Sequence, residues 1–148
     1  MNIRIKKLNP DATIPTQGSE EAAGFDLYMC DDRFTIPLVI NPGETVMLKT
    51  GLAMAIPKGY FGGIYARSGL ATKKNLRPAN CVGVVDSDYR GEVMVALHND
   101  SQHDFRSVQN GDRIAQLIVQ EYLSARFEEV DDLDETERGA GGFGHTGK

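Results

Sequence analysis

Two carboxylates, a phenol and a guanidinium crowd into five residues at Asp86, Asp88, Tyr89 and Arg90. The surrounding stretch reads Cys-Val-Gly-Val-Val-Asp-Ser-Asp-Tyr-Arg-Gly-Glu from Cys81 to Glu92. Val82, Val84 and Val85 make it apolar, Asp86 turns it sharply polar, and strand-like alternation returns after Gly91. That pattern predicts a β-hairpin with the charged groups at its tip. A turn that only reverses the chain does well with Asn-Gly or Asp-Gly. This density of titratable side chains points instead to a site, although a solvated turn with an Asp–Arg pair fits the stretch taken alone.

The elements that must position these groups are nearly all short strands. Ile3 and Ile5 alternate with Arg4 and Lys6. Asn9 to Ser19 reads as loop. Phe25 to Cys30, Phe34 to Ile40, Glu44 to Thr50, Gly51 to Ile56, Tyr60 to Ala66, Val93 to Leu97 and Arg113 to Val119 read as strands. Pro37 suits an edge or a break. Gly62-Gly63 marks a bulge or a close backbone approach. Ser68 to Lys74 is the one credible helix. There is no βαβ alternation, and the spacing of strands and turns predicts an all-β fold of the sandwich or jelly-roll kind. Residues 1–130 form the expected β-domain. Residues 131–148 form an acidic spacer and a glycine-rich tail, expected to be mobile until something binds. The five glycines from Gly139 to Gly147 cannot sit in a packed core.

Length and charge exclude several classes of function. A chain of 148 residues, 41% apolar and 25% charged, fits one ordinary globular domain. It has no apolar run near the ~20 residues of a membrane helix and no apolar leader at its N-terminus. Seven of the 21 acidic residues fall between Glu128 and Glu137, so the rest of the chain is close to neutral despite the net charge of −5. A basic face for nucleic acid is therefore not indicated, while a small anion held by a few placed arginines is compatible. Cys30 and Cys81 form no spaced pair, which implies a reducing, cytoplasmic setting. The three histidines share no metal-ligand spacing.

Five segments together carry a family resemblance. They are Ala22 to Leu27 (AAGFDL), Ala66 to Ala71 (ARSGLA), Gly83 to Glu92 (GVVDSDYRGE), Gly111 to Leu117 (GDRIAQL) and the tail from Arg138 to Gly147 (RGAGGFGHTG). In this order and spacing the chain resembles the homotrimeric deoxyuridine triphosphate nucleotidohydrolases, the dUTPases. The resemblance implies a jelly-roll or distorted β-barrel that hydrolyses dUTP to dUMP and pyrophosphate with Mg²⁺. It places the water-activating base on Asp86. It places uracil recognition on Asn80 and the backbone of Gly83, Val84 and Val85, the deoxyribose against Tyr89, and a stacking lid on Phe143. The phosphates fall to Arg67, Ser68, Gly69 and Gln116, with Arg138, Gly144, His145 and Thr146 from the tail. Asp26 lies near waters of the metal, which the substrate phosphates mainly hold. Arg113 is assigned to an ion pair at a subunit contact, and Asp88 to pairing with Arg90 or another base. His145 stands where the family usually has serine.

The resemblance also implies active sites shared by three chains, with the first, second and fourth motifs from one, the uracil hairpin from a second and the tail from the third. Apolar strands such as Ile114 to Val119 are candidates for the contact between copies. Gly142 to Lys148 fits G-x-x-x-x-G-K literally, but no strand precedes it and no helix follows it as a P-loop needs. Two other readings stay in view. A deoxycytidine triphosphate deaminase of the same fold would need an added acid–base carboxylate. A non-catalytic dUTP-binding regulatory trimer would lack the base that Asp86 supplies.

Overall fold

Side chains that alternate between core and solvent set most of this chain into strands, and a computed structural model describes residues 1–142 of it. Among the described residues all strand pairing is antiparallel and falls into four sheets. β1 (Arg4–Lys7) pairs with β6 (Leu52–Ala55). β4 (Leu38–Ile40) pairs with β11 (Arg106–Val108). β10 (Met94–Asn99) lies between β5 (Thr45–Lys49) and β8 (Leu76–Pro78). The largest sheet runs in the order β2 (Thr16–Gln17), β3 (Phe25–Tyr28), β12 (Arg113–Glu121), β7 (Tyr60–Tyr65), β9 (Gly83–Val85). The single helix among the described residues is α1 (Ser68–Lys74).

These sheets wrap one core that includes Leu27, Ile40, Leu48, Leu76, Val95, Leu97 and Ile114. In β10, Val95, Leu97 and Asn99 point inward while Met94, Ala96 and His98 are more exposed, the period of two that a half-buried strand requires. The all-β, jelly-roll-like expectation holds in this form. The ladders break between the four sheets, so no closed barrel forms among the described residues.

Three particulars differ from, or sharpen, the sequence reading. β9 and β10 do not form a hairpin. β9 pairs with β7, and β10 pairs with β5 and β8, so Asp86 to Val93 carries the chain from one sheet to another. Alternation on both sides of a polar turn looks the same whether the strands pair or part. Gly62-Gly63 is not a bulge, because β7 and β12 keep unbroken register from Gln116↔Tyr65 to Glu121↔Tyr60. A Cβ on Gly62 would stand 2.8 Å from Ile56 Cδ1 and 2.9 Å from Leu117 Cδ1, so glycine is there for close approach. In the dense apolar strand Ile114, Ala115 and Leu117 are buried in the chain's own core, while Ile118 and Val119 are partly exposed.

A buried carboxylate ties the β3 end of the molecule together. Asp31 is 1% exposed. It accepts from Arg33 Nε at 2.8 Å and from the Arg33 Nη2 at 2.6 Å, and from the Lys49 amide at 3.3 Å. Asn110 donates to the Asp31 carbonyl and accepts from its amide, which attaches the turn before β12. The Arg33 guanidinium holds the Asp31 carboxyl below its ordinary range, against the opposing pull of burial. A carboxyl whose folded value lies below its unfolded value adds stability above the unfolded value. That stability is lost as pH falls through the folded value. We expect the urea midpoint of the wild type to fall from about pH 4 downward more steeply than that of Asp31→Asn. Parallel acid limbs for the two proteins would refute the assignment.

Candidate active site

Asn80, Gly83, Val84, Val85, Asp86 and Tyr89 line one cleft of about 220 Å³. The local chain explains why they meet. Cys81 adopts a left-handed φ of 59°, and the Val82 amide donates to the Asn80 carbonyl, so the chain turns tightly into β9. Gly83 is buried against this turn, and a Cβ there would stand 3.0 Å from Asn80 Nδ2. Glycine thus lets the Asn80 amide lie over the strand. β9 pairs only with β7, so among the described residues its other backbone edge faces the cleft without a strand partner. Such an edge offers N–H and C=O groups in fixed alternation.

After Val85 the loop is held by its own backbone. Arg90 donates from Nη1 to the carbonyls of Ser87 and Tyr89, each at 2.7 Å. The predicted pairing of Asp88 with Arg90 is therefore not what shapes the turn, since main-chain oxygens take the guanidinium instead. Asp86 is exposed and borders a second cleft of about 790 Å³, which Arg4, Lys58 and Arg90 also line. It stands on the ridge between the two clefts. The Tyr89 hydroxyl donates to the Glu92 carbonyl at 3.0 Å. The ring reaches that carbonyl by crossing Gly91, where a Cβ would come within 2.6 Å of Tyr89 Cζ. Gly91 and Glu92 have no role in the sequence reading. Their signal was present as a Tyr-x-Gly-Glu run, but only the folded ring shows why the glycine is needed.

The remaining candidates gather at the end of the large sheet. Gln116 on β12 lies opposite Asp26 on β3 and Tyr65 on β7. The Asp26 carboxylate accepts from Arg67 Nε at 2.7 Å and from Arg113 Nη1 at 3.1 Å. Both Arg67 and Asp26 are largely buried, at 22% and 13% side-chain exposure, so the pair is oriented rather than loosely solvated. Arg113 is an ion-pair member, within its own chain. Gln116 Nε2 donates to the Ala66 carbonyl at 2.9 Å, and a Cβ on Gly24 would collide with Gln116 Oε1. Arg67 is the extended N-cap of α1, and Ser68 and Gly69 are exposed at the helix start. Nothing lies within 4 Å of a Cβ built on Gly69. The first amides of a helix have no partner within it.

Within one chain the two sets stay apart. The cleft beside Arg67 and Arg113 shares no residue with the one lined by Asn80 and Tyr89. Arg138 donates from Nε to the Gly141 carbonyl at 2.8 Å. Phe143, Gly144, His145 and Thr146 lie outside the described residues. Among the described residues no group of three or more His, Cys, Asp or Glu side chains could hold a metal ion directly. A carboxylate has about four acceptor positions. The two arginines leave Asp26 room for a water, so the residues fit an ion held through waters.

A small cleft edged by an open strand and bordered by Asp86, with an arginine-backed helix start lining a separate cleft, marks an antiparallel β-protein. Comparison with known proteins agrees. A family model described as dUTPase matches residues 10–147. The chain is 47% identical over 148 residues to the deoxyuridine 5'-triphosphate nucleotidohydrolase of Nautilia profundicola, covering 100% of both chains. It is 50% identical over 148 residues to the protein of that name from Wolinella succinogenes, covering 100% of this chain and 95% of that one. A Staphylococcus bacteriophage 80alpha dUTPase solved with dUPNHPP superposes with a TM-score of 0.86 at 25% identity, over 99% of each chain. A dUTPase from phage phi11 of S. aureus, described as revealing a structural Mg(II) ion, has a TM-score of 0.78 over 89% of this chain and 98% of its own, and at 22% identity speaks to the fold alone. The chain belongs to the dUTPase family. No helix among the described residues is long and apolar enough to cross a membrane.

The hold of Asp26 on Arg67 is directly measurable. In wild type the Arg67 Nε–H should give a separate, slowly exchanging NMR resonance. In Asp26→Asn it should collapse into the envelope of exposed arginines. Persistence of the shifted signal would mean that Asp26 does not fix the guanidinium.

Proposed function

We propose that this protein is a dUTP diphosphatase, hydrolysing dUTP to dUMP and pyrophosphate. One observation supports this reading above the rest. Asp86 borders the cleft that Asn80, Gly83, Val84, Val85 and Tyr89 line, so an exposed carboxylate stands beside the residues assigned to base and sugar.

In this reading the open edge of β9 hydrogen-bonds the uracil edge, with Asn80 completing the pattern. Fixed backbone polarity accepts uracil and leaves unpaired groups against cytosine. Tyr89 lies against the deoxyribose, where a ribose 2′-hydroxyl would clash. Asp86 orients a water in line with the α-phosphorus and takes its proton as the new P–O bond forms. The bond from the α-phosphorus to the bridging oxygen breaks, and pyrophosphate leaves. Arg67, with the free amides of Ser68 and Gly69, receives the anionic chain, and Gln116 reaches its far end. Asp26 would meet waters of a Mg²⁺ held by the substrate phosphates, and the ion would supply positive charge to offset theirs.

The separation of the two residue sets within one chain supports a homotrimer whose sites draw on three copies. Residues 1–130 then act as the scaffold, and residues 131–148 as spacer and lid. Phe143 covers the uracil, while Arg138, Gly144, His145 and Thr146 close on the phosphates. The proposed partners are dUTP and further copies of this chain, without nucleic acid or membrane, in the cytoplasm. Draining dUTP in this way also supplies dUMP for thymidylate synthesis.

Two experiments test the reading. Asp86→Asn should lower turnover by roughly 10³-fold while dUTP binding, followed by calorimetry, stays near wild type. Pyrophosphate release at the wild-type rate would remove Asp86 from the role of base. Deleting residues 138–148 should cut turnover by orders of magnitude and leave Tm within about 2 °C, because the described part of the tail is exposed. A large fall in Tm would show that the segment belongs to the fold rather than to a lid.

A further inference from the structure

We propose that Glu92 is a positioning residue for Tyr89, and through it a determinant of the choice between deoxyribose and ribose; the inference rests on the sugar-facing reading of Tyr89 given above. The Tyr89 hydroxyl is pinned by the main-chain oxygen of Glu92, at 3.0 Å. That oxygen is only as fixed as the segment that carries it. Three hydrogen bonds fasten the segment to the turn between β5 and β6. The Gly51 amide donates to Glu92 Oε1 at 2.9 Å, Thr50 Oγ1 donates to the Val93 carbonyl at 2.6 Å, and the Val93 amide donates to the Leu52 carbonyl at 2.8 Å. The Val93 amide belongs to the same peptide unit as the accepting oxygen, and of the three bonds the first alone is made by the Glu92 side chain. Lys49 Nζ lies 3.8 Å from Glu92 Oε2.

The anchor at the other end does not give. Gly51 has a φ of 68°, and a Cβ there would stand 2.9 Å from Ala12 Cβ and 3.0 Å from Asn9 Cβ. Its carbonyl accepts from the Leu8 amide at 2.7 Å and from the Asn9 amide at 3.3 Å. A line of contacts thus runs from the N-terminal segment through Gly51 and Glu92 to the Tyr89 ring, and Glu92 itself lines the cleft that holds Asn80 and Asp86. A ring that rejects one added hydroxyl by contact alone works only if it cannot retreat by a few tenths of an ångström. Glu92 supplies that stiffness without being a reacting group.

The test is the dUTP-to-UTP ratio of kcat/KM, measured as pyrophosphate release in Mg²⁺. Glu92→Ala should lower the ratio about five- to tenfold, with kcat for dUTP within about twofold of wild type and most of the change in KM. Glu92→Gln should keep the wild-type ratio within about twofold, because its amide oxygen still accepts from Gly51. A wild-type ratio in Glu92→Ala overturns the proposal, and so does an equal loss in the Ala and Gln variants. Should Glu92→Ala fail to fold, Tyr89→Phe carries the test. It keeps the ring and removes only the hydroxyl that reaches Glu92, so the ratio should fall similarly, and an unchanged ratio overturns the proposal. Tyr89→Ala separates the two levels. An unaltered ratio in that variant sinks the sugar-facing reading itself, whereas a fall there with none in Glu92→Ala sinks the positioning role alone.

Discussion

β12 is hydrogen-bonded along both edges, to β3 on one side and to β7 on the other, and most of the functional geometry hangs from that double ladder. Register is what it enforces. Gln116 faces Asp26 and Tyr65 because the pairing leaves it no other place, and Arg113 at the start of the strand meets the Asp26 carboxylate. β7 then carries β9 on its far edge and runs on through Arg67 into α1. A slip of one residue would drive the Gln116 amide into the core and expose Leu117, which is 3% exposed in place. The irregularity between Arg113 and Ala115 allows Ile114 and Ala115 to be buried in succession before regular alternation resumes.

How much of this could be read from the chain depends on where the determining contact lies. Strands whose alternation is local, such as Thr45–Lys49 and Met94–Asn99, were legible because the period of two is written in adjacent residues. α1 was legible to the residue, since Ser68 to Lys74 lacks that period. β2 and β11 were not, because two or three residues cannot display a period. β8 was hidden in the same way, being three residues long and ending in a proline. The supposed hairpin failed for a deeper reason: which strands pair is decided by long-range register, and the polar loop from Asp86 to Val93 carries no mark of it.

The site shows the same division. Asp86 and Tyr89 were visible as chemistry and Asn80 through the family resemblance, and they do line one cleft. The supports were invisible. Gly91 matters only because a ring crosses it, Gly24 only because the Gln116 amide lies against it, and Glu92 only because it meets a turn 41 residues earlier in sequence. Asp26 also changes character on folding. From the family resemblance it is a carboxylate near waters of the metal. In place it is the acceptor that aims two arginines, and this fixes the direction in which Arg67 presents positive charge.

The segment after β12 has a consequence for how the chain behaves before it finds its place. Leu123 is 91% exposed, Phe127 100% and Leu133 84%, in a stretch where the described backbone forms no strand or helix. Bare apolar side chains in an extended segment invite clumping. Here Phe127 adjoins, and Leu133 lies within, the acidic run from Glu128 to Glu137, whose like charges act as gatekeepers. The same carboxylates therefore serve colloidal stability, and replacing them with neutral residues would leave chains prone to precipitate through this segment.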